Sequence, residues 1–132
     1  EKLARADRAG AVTDLEAAQS AIGEDAAHPD YWNVRLALAE AHVVDAPTEA
    51  QIAFLEVAGR KPGGLTAREY ATFGQRLSDA KHYQQAVLVV DRGLDAHTAE
   101  AKLKDLMDRI KRDAQASGDQ GTLDLLESLG YL

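Results

Sequence analysis

The stretch that decides the fold is FGQRLSDAKHYQQAVLVV, residues 73–90. Its apolar side chains reach Leu77, stop over SDAKH, and resume at Tyr83. Asp79 and His82 lie in this interruption and Tyr83 directly follows it, so two interpretations arise: a small catalytic cluster, or the turn between two packed helices. The flanking residues favour the turn, because apolar side chains recur there at the spacing of a helix face. They are Tyr70, Phe73 and Leu77 before the turn and Tyr83, Val87, Val90 and Leu94 after it.

The same alternation of amphipathic segments and breaks runs along the whole chain. Thr13, Thr48 and Thr66 each precede Glu or Gln by three residues, and we interpret them as capping boxes at helix starts. Breaks are predicted at Gly10 and at residues 28–30, 45–47, 61–64 and 117–119. No stretch alternates with the two-residue period of a strand. We predict helices at about residues 2–9, 14–26, 31–44, 49–59, 67–79, 83–95, 98–116 and 120–129.

Composition and charge limit the functions that the chain can have. Of its 132 residues, 45% are hydrophobic and 28% charged, which is typical of a folded domain. The net charge of −7 and the lack of a basic stripe argue against nucleic acid as a partner. Cysteine is absent, and no apolar run approaches the ~18 residues of a membrane span. The chain begins at Glu1 without methionine or a leader, and we interpret it as a fragment or a processed product.

Successive helices joined by short loops are expected to form antiparallel hairpins, and the hairpins repeat. Ala50, Phe54 and Val57 follow one another at spacings of four and three residues. The same spacings recur 36 residues later in Ala86, Val90 and Gly93. A period of this length built from two helices is typical of a helical solenoid.

On these residues the chain resembles the tetratricopeptide repeat (TPR) family. The closest unit is residues 67–100, which carries the family's pattern of large and small residues on both helices: Tyr70, Phe73, Gly74 and Leu77, then Lys81, His82, Tyr83, Ala86, Val90 and Gly93. Small residues such as Gly74 and Ala86 are expected where the two helices approach closely. Tyr83 is expected to pack back on the first helix, and His82 to face solvent in the turn.

The resemblance implies an all-α fold in which antiparallel helix hairpins stack as a right-handed TPR-like superhelix, an α-α solenoid, with a C-terminal capping helix. We expect one domain over residues 1–132. It comprises a partial repeat at 1–30, a degenerate repeat at 31–64, the best repeat at 67–100 and capping helices at 101–132.

The resemblance also implies a concave groove, lined by the first helix of each hairpin, that receives a peptide or a partner protein. The groove positions are expected to be Trp32, Arg35, Ala39, His42, Arg68, Ala71, Gln75, Lys104 and Asp108. An exposed Trp and Arg pair is typical of a binding hot spot, and Arg binds carboxylates well, so an acidic ligand is favoured. The alternative for Trp32 is that it fills the gap between hairpins.

One subclass of the family clamps C-terminal carboxylates with paired asparagines and lysines. Here Asn33 is the only asparagine, and Leu36 and Thr72 stand where that clamp requires Asn. This particular function is therefore disfavoured.

The sequence offers no pattern for catalysis, a metal or a cofactor. His28, His42, His82 and His97 are scattered, without a paired metal-ligand spacing on one helix. The group of Asp79, His82 and Tyr83 lacks a nucleophile and an oxyanion loop. Gly63-Gly64 is followed by no Lys-Ser/Thr and is interpreted as a helix stop.

Three functions remain as hypotheses. The first is a non-catalytic protein–protein interaction module that binds a peptide or partner protein in the groove. The second is a structural or homo-oligomerisation domain, in which an apolar N-terminal edge pairs with a second copy; this edge consists of Leu3, Val12, Leu15 and Ile22. The third is an accessory domain of a larger multidomain protein, with or without a catalytic domain in it.

Overall fold

The computed structural model describes the backbone of residues 2–132 and the side chains of residues 8–132. Within this part of the chain there are seven helices and no strand, so the predicted all-α class is confirmed. The helices are α1 (Lys2–Ile22), α2 (Tyr31–Ala41), α3 (Pro47–Arg60), α4 (Ala67–Asp79), α5 (Tyr83–Ala96), α6 (Ala101–Ser117) and α7 (Gln120–Ser128). None of the described helices has the length and apolar content that crossing a membrane requires.

Helix α1 corrects the prediction of two helices separated at Gly10. It continues from Lys2 through Gly10 to Ile22. A glycine inside a helix costs only about 1 kcal/mol relative to alanine, and the alanine-rich sequence around it favours helix. Thr13 therefore lies inside the helix, where its Oγ1 donates to the carbonyl of Ala9 at 3.0 Å instead of capping an N-terminus.

The other two predicted capping boxes have different outcomes. At Thr66 the box is confirmed: Thr66 Oγ1 accepts from the Glu69 amide at 3.1 Å, and Glu69 Oε1 accepts from the Thr66 amide at 2.9 Å. At Thr48 it is wrong, because α3 begins at Pro47, two residues before the predicted start, with Ala46 at the N-cap. Proline suits the first helical position, since its φ is already helical and its missing amide hydrogen is not needed there.

Contacts divide the chain into two compact units, unit 1 at residues 1–64 and unit 2 at residues 65–132. The boundary lies at Gly63 and Gly64, whose φ angles of +80° and +69° favour glycine. In unit 1, α2 packs against both α1 and α3. The core of this unit consists of Tyr31, Leu38, Ala39, Val43, Ala50, Phe54 and Val57.

Unit 2 is organised around the hairpin of α4 and α5. A Cβ atom on Gly74 would lie 2.7 Å from Val90 Cγ2, and one on Gly93 would lie 2.9 Å from Tyr70 Cβ. Residue numbers fall along α4 as they rise along α5 between these two contacts, so the helices are antiparallel. Gly74 is therefore small where two helices meet, as predicted. Helix α6 packs on both α4 and α5, and α7 packs on α5 and α6.

The turn between α4 and α5 is a Schellman motif. The amide of His82 donates to the carbonyl of Leu77 at 2.9 Å, and that of Lys81 donates to Ser78 at 2.9 Å. Lys81 takes the left-handed conformation, with φ +65°, at the position where glycine is usual. His82 is half-buried at the N-cap of α5, which corrects the expectation that it faces solvent.

The C-terminal residues are tied back onto unit 2. Tyr131 Oη donates to Asp91 Oδ1 on α5 at 2.7 Å, and Lys111 Nζ on α6 donates to the Tyr131 carbonyl at 3.3 Å. Helix α7 is itself capped by Asp119, whose Oδ1 accepts from the Thr122 amide at 3.2 Å. These bonds hold the end of the chain against the two helices that α7 covers.

Candidate functional site

Unit 1 brings three of the predicted groove residues together. Trp32, Arg35 and His42 line an open pocket of about 220 Å³ among α1, α2 and α3. The rest of its lining is Glu16, Gln19, Leu38, Glu49, Ala53, Glu56 and Val57. Ala39, also predicted for the groove, is fully buried in the core, which makes that assignment wrong.

The guanidinium group of Arg35 already interacts with two other residues of unit 1. Its Nη2 lies 3.4 Å from Glu24 Oε1, and its guanidinium carbon lies 4.3 Å from the centre of the Tyr31 ring. Only 18% of the Arg35 side chain is exposed. Tyr31 Oη donates to the other oxygen of Glu24 at 3.3 Å, so the loop before α2 and the helix itself are joined by one network.

Trp32 also has internal partners. Its ring lies 4.7 Å from that of Tyr31 in an edge-to-face arrangement, and the guanidinium of Arg60 on α3 lies 5.7 Å from its centre. Arg60 in turn pairs with Glu56 at 2.9 Å and donates to Tyr31 Oη at 3.4 Å. The hydrogen bond with Glu56 raises the pKa of Arg60, and Tyr31 adds to this effect. These contacts favour the alternative in which Trp32 packs between helices.

The charges of this pocket do not suit an acidic ligand. Glu16, Glu49 and Glu56 contribute three carboxylates to its lining. Among the residues whose side chains are described, Arg35 is the one arginine that lines it, and its charge is balanced by Glu24. An acidic segment would therefore approach carboxylates that repel it.

Unit 2 carries a second hollow, of about 640 Å³, between α4 and α6. We call its lining the basic face: Arg68, Ala71, Thr72, Gln75, Arg76, Lys102, Asp105, Leu106 and Arg109. The predicted residues Arg68, Ala71 and Gln75 all belong to it. Arg76, Lys102 and Arg109 do not appear among the predicted residues.

Lys104 and Asp108, the residues predicted on α6, lie outside this lining. Lys104 is exposed, and Asp108 pairs with Lys111 at 3.5 Å. The helix buries Leu103, Leu106, Met107, Ile110 and Ala114. The positions beside that stripe toward α4 are 102, 105 and 109, at helical spacing from one another. The buried leucines of α6 fix the orientation of the helix about its axis, and this orientation would have identified positions 102, 105 and 109 from the sequence.

The four cations of the basic face are available to a ligand. Arg68, Arg76, Lys102 and Arg109 are exposed, and none forms an ion pair with any residue whose side chain is described. Asp105 is the only carboxylate that the described side chains contribute to the lining. The amide of Gln75 is occupied, since it donates to Asp79 at 2.6 Å. The face is thus locally positive in a chain whose net charge is −7.

Two of the histidine side chains form hydrogen bonds with backbone groups. His28 Nδ1 accepts from the Asp30 amide at 3.1 Å in the loop before α2. His97 Nε2 lies 2.8 Å from the carbonyl of Leu65, and because a carbonyl only accepts, this nitrogen carries the proton. Across residues 8–132, no three His, Asp or Glu side chains gather in a way that could hold a metal ion.

Comparison of the chain with models of known protein families finds no match, and comparisons with curated proteins and with solved structures find none either. The assignment of a function therefore rests on geometry and charge, and the basic face is the candidate that both favour.

Proposed function

We propose that the chain is a non-catalytic protein-interaction module, built from TPR-like helix hairpins, that binds a peptide segment of a partner protein on the basic face. The packing within unit 2 supports this proposal. An antiparallel hairpin (α4 and α5) is followed by a helix that contacts both of its members, and α7 packs on α5 and α6. The right-handed stacking of hairpins stays a prediction of the 36-residue repeat.

The observation that carries the proposal is the hollow between α4 and α6. Its rim has four exposed cations without ion-pair partners among the described side chains, and its floor contains Ala71 and Leu106. Apolar floor and charged rim together resemble the anatomy of a protein interface. We therefore propose a binding groove in unit 2 that includes Arg68 and Gln75, in place of the predicted groove residues Trp32, Arg35, His42 and Lys104.

Selection from a displayed library of random peptides tests this function. Selected peptides should bind wild type and lose binding to Thr72→Tyr, because the added ring fills the hollow. Thr13→Tyr is the matched control, since Thr13 is also an exposed helical threonine but belongs to unit 1. Circular dichroism checks that both variants fold. Peptides that bind wild type and Thr72→Tyr equally would remove the basic face as the binding site.

A structural or oligomerisation role is the second candidate, and one observation favours it. Leu15, Ala18, Ala21 and Ile22 of α1 form an apolar groove of about 370 Å³ with α2 residues that include Val34 and Ala37. Val12 is half-buried, and the side chain of Leu3 lies outside the described residues. Sedimentation velocity over a wide concentration range tests this role, and a strict monomer at every concentration would remove it.

A further inference from the structure

We propose that the basic face selects an extended acidic segment in which two carboxylates, four residues apart, bracket a neutral centre. This inference rests on the proposed function, because it names the ligand of the same face. It follows from how the four cations are distributed along α4 and α6.

The two helices that form the face are parallel. A Cβ atom on Gly74 of α4 would lie 3.3 Å from Leu106 Cδ2, so these two positions are level. A Cβ atom on Gly93 would lie 2.9 Å from Tyr70 Cβ and 3.2 Å from Leu103 Cδ1, so residue 70 is level with residue 103. Residue numbers rise together along α4 and α6 between these two levels.

The cations consequently form two pairs at opposite ends of the hollow. Arg68 and Lys102 lie at the end where the helices begin, and Arg76 and Arg109 lie toward the other end. At 1.5 Å per residue, the two arginines of α4 are about 12 Å apart along the helix axis, and Lys102 and Arg109 are about 10.5 Å apart. The space between the pairs is lined by Ala71, Thr72, Gln75, Asp105 and Leu106.

This spacing matches an extended peptide. At about 3.3 Å per residue, side chains four residues apart are separated by about 13 Å and point to the same side of the strand. The peptide separation of about 13 Å slightly exceeds the axial separations of about 12 Å and about 10.5 Å between the cations. The arginine and lysine side chains are long enough to make up this difference. The central side chain on that side meets Leu106 and the carboxylate of Asp105. A neutral apolar residue fits this position, and an acidic one is repelled.

A titration with two peptides of identical composition tests the inference. The spaced probe is Gly-Ser-Glu-Ser-Leu-Ser-Glu-Ser-Gly, and the adjacent probe is Gly-Ser-Ser-Leu-Glu-Glu-Ser-Ser-Gly. Two-dimensional ¹H–¹⁵N NMR of the full chain at about 0.15 M salt measures both dissociation constants and locates the perturbed amides. We expect the spaced probe to bind roughly five-fold more tightly, since it engages both cation pairs instead of one.

Charge-neutralising variants assign the contacts. Arg68→Gln and Arg109→Gln, one at each end, should each weaken the spaced probe by roughly two- to five-fold. Arg112→Gln is the matched control, because Arg112 is exposed on the same helix as Arg109 and lies outside the face, so it should leave binding unchanged. The dissociation constant of the spaced probe should also increase when salt is raised above 0.15 M, as screening weakens the ion pairs.

Equal binding of the two probes, or equal effects of Arg109→Gln and Arg112→Gln, would overturn the spacing inference. If neither acidic probe binds while the library peptides bind wild type and lose binding to Thr72→Tyr, the inference is wrong and the proposed function stands. If the library peptides bind wild type and Thr72→Tyr equally, the proposed function fails as well.

Discussion

Replacing Gly74 by alanine places a methyl group where α4 and α5 have no room for one. The new Cβ would lie 2.7 Å from Val90 Cγ2 and 3.3 Å from Leu106 Cδ2. The first separation must grow by about 0.7 Å before it reaches 3.4 Å, where ordinary contact begins. Val90 is β-branched and fully buried, so it cannot turn away, and the helices themselves must move apart.

Two opposing effects determine how far Gly74→Ala lowers the free energy of unfolding. Overpacking a core of this kind costs about 1–3 kcal/mol, and the better helix propensity of alanine returns about 1 kcal/mol. We therefore expect Gly74→Ala to lower the free energy of unfolding by about 1 kcal/mol. Gly59→Ala is the control, because a Cβ at Gly59 on α3 would meet nothing within 4 Å. That variant should gain up to about 1 kcal/mol.

Urea unfolding measures both variants. Circular dichroism at the helical band follows the seven helices of the described residues, and the emission of Trp32, the one tryptophan, follows unit 1. With a slope on the order of 1–3 kcal/mol per molar urea, Gly74→Ala should lower the midpoint of the dichroism transition by roughly 0.3–1 M. A Gly74→Ala protein as stable as Gly59→Ala would show that α4 and α5 do not approach each other as closely as the two glycines indicate.

Three further variants test single contacts by the same urea assay. Lys81→Gly should raise the free energy of unfolding by about 1 kcal/mol, because glycine adopts a φ of +65° without steric cost; no gain would argue against the Schellman turn. Thr122→Val should be neutral or stabilising by up to about 1 kcal/mol, because the buried Thr122 hydroxyl has no hydrogen-bond partner among the described residues; a clear loss would reveal one. Tyr131→Phe should lose about 1 kcal/mol at neutral pH, since its hydroxyl donates to Asp91. Burial, and then the hydrogen bond with Asp91, raises the pKa of Tyr131 above its ordinary 10.0, so this contribution is full below pH 10.0 and is lost as pH rises beyond it. The difference between wild type and Tyr131→Phe should therefore shrink in alkaline solution, and a constant difference would contradict the bond.

The hairpin of α4 and α5 was predictable because several local signals agree there. The box at Thr66, the apolar stripes and the small residue at Gly74 all indicate the same two helices. Gly10 and Thr13 misled the prediction for α1, because a glycine and a following threonine look like a helix break when only local sequence is considered. The high helix propensity of the surrounding alanines outweighs both signals. This becomes apparent only when helix propensities are summed over the whole segment.

The binding residues were harder to predict than the helices. Trp32 and Arg35 have the composition of a hot spot, but their partners, Arg60 and Glu24, lie on a different helix and in a loop, so the packing that occupies them cannot be seen from spacing. The basic face depends on which side of α6 turns toward α4. An error of two positions exchanges Lys102 for Lys104, and only the buried stripe of α6 shows which of the two faces α4.

The basic face of this acidic chain affects how a ligand arrives as well as how it is held. At 0.01 M salt, where screening extends over about 30 Å, an approaching acidic peptide is repelled by the net charge of −7 before it reaches the four cations. At 0.15 M salt screening shortens to about 8 Å, so the peptide responds mainly to the nearby arginines and lysine. The association rate should therefore rise with salt at first and fall at higher concentrations. For such a ligand, modest salt removes the barrier to entry while leaving the attraction at the site.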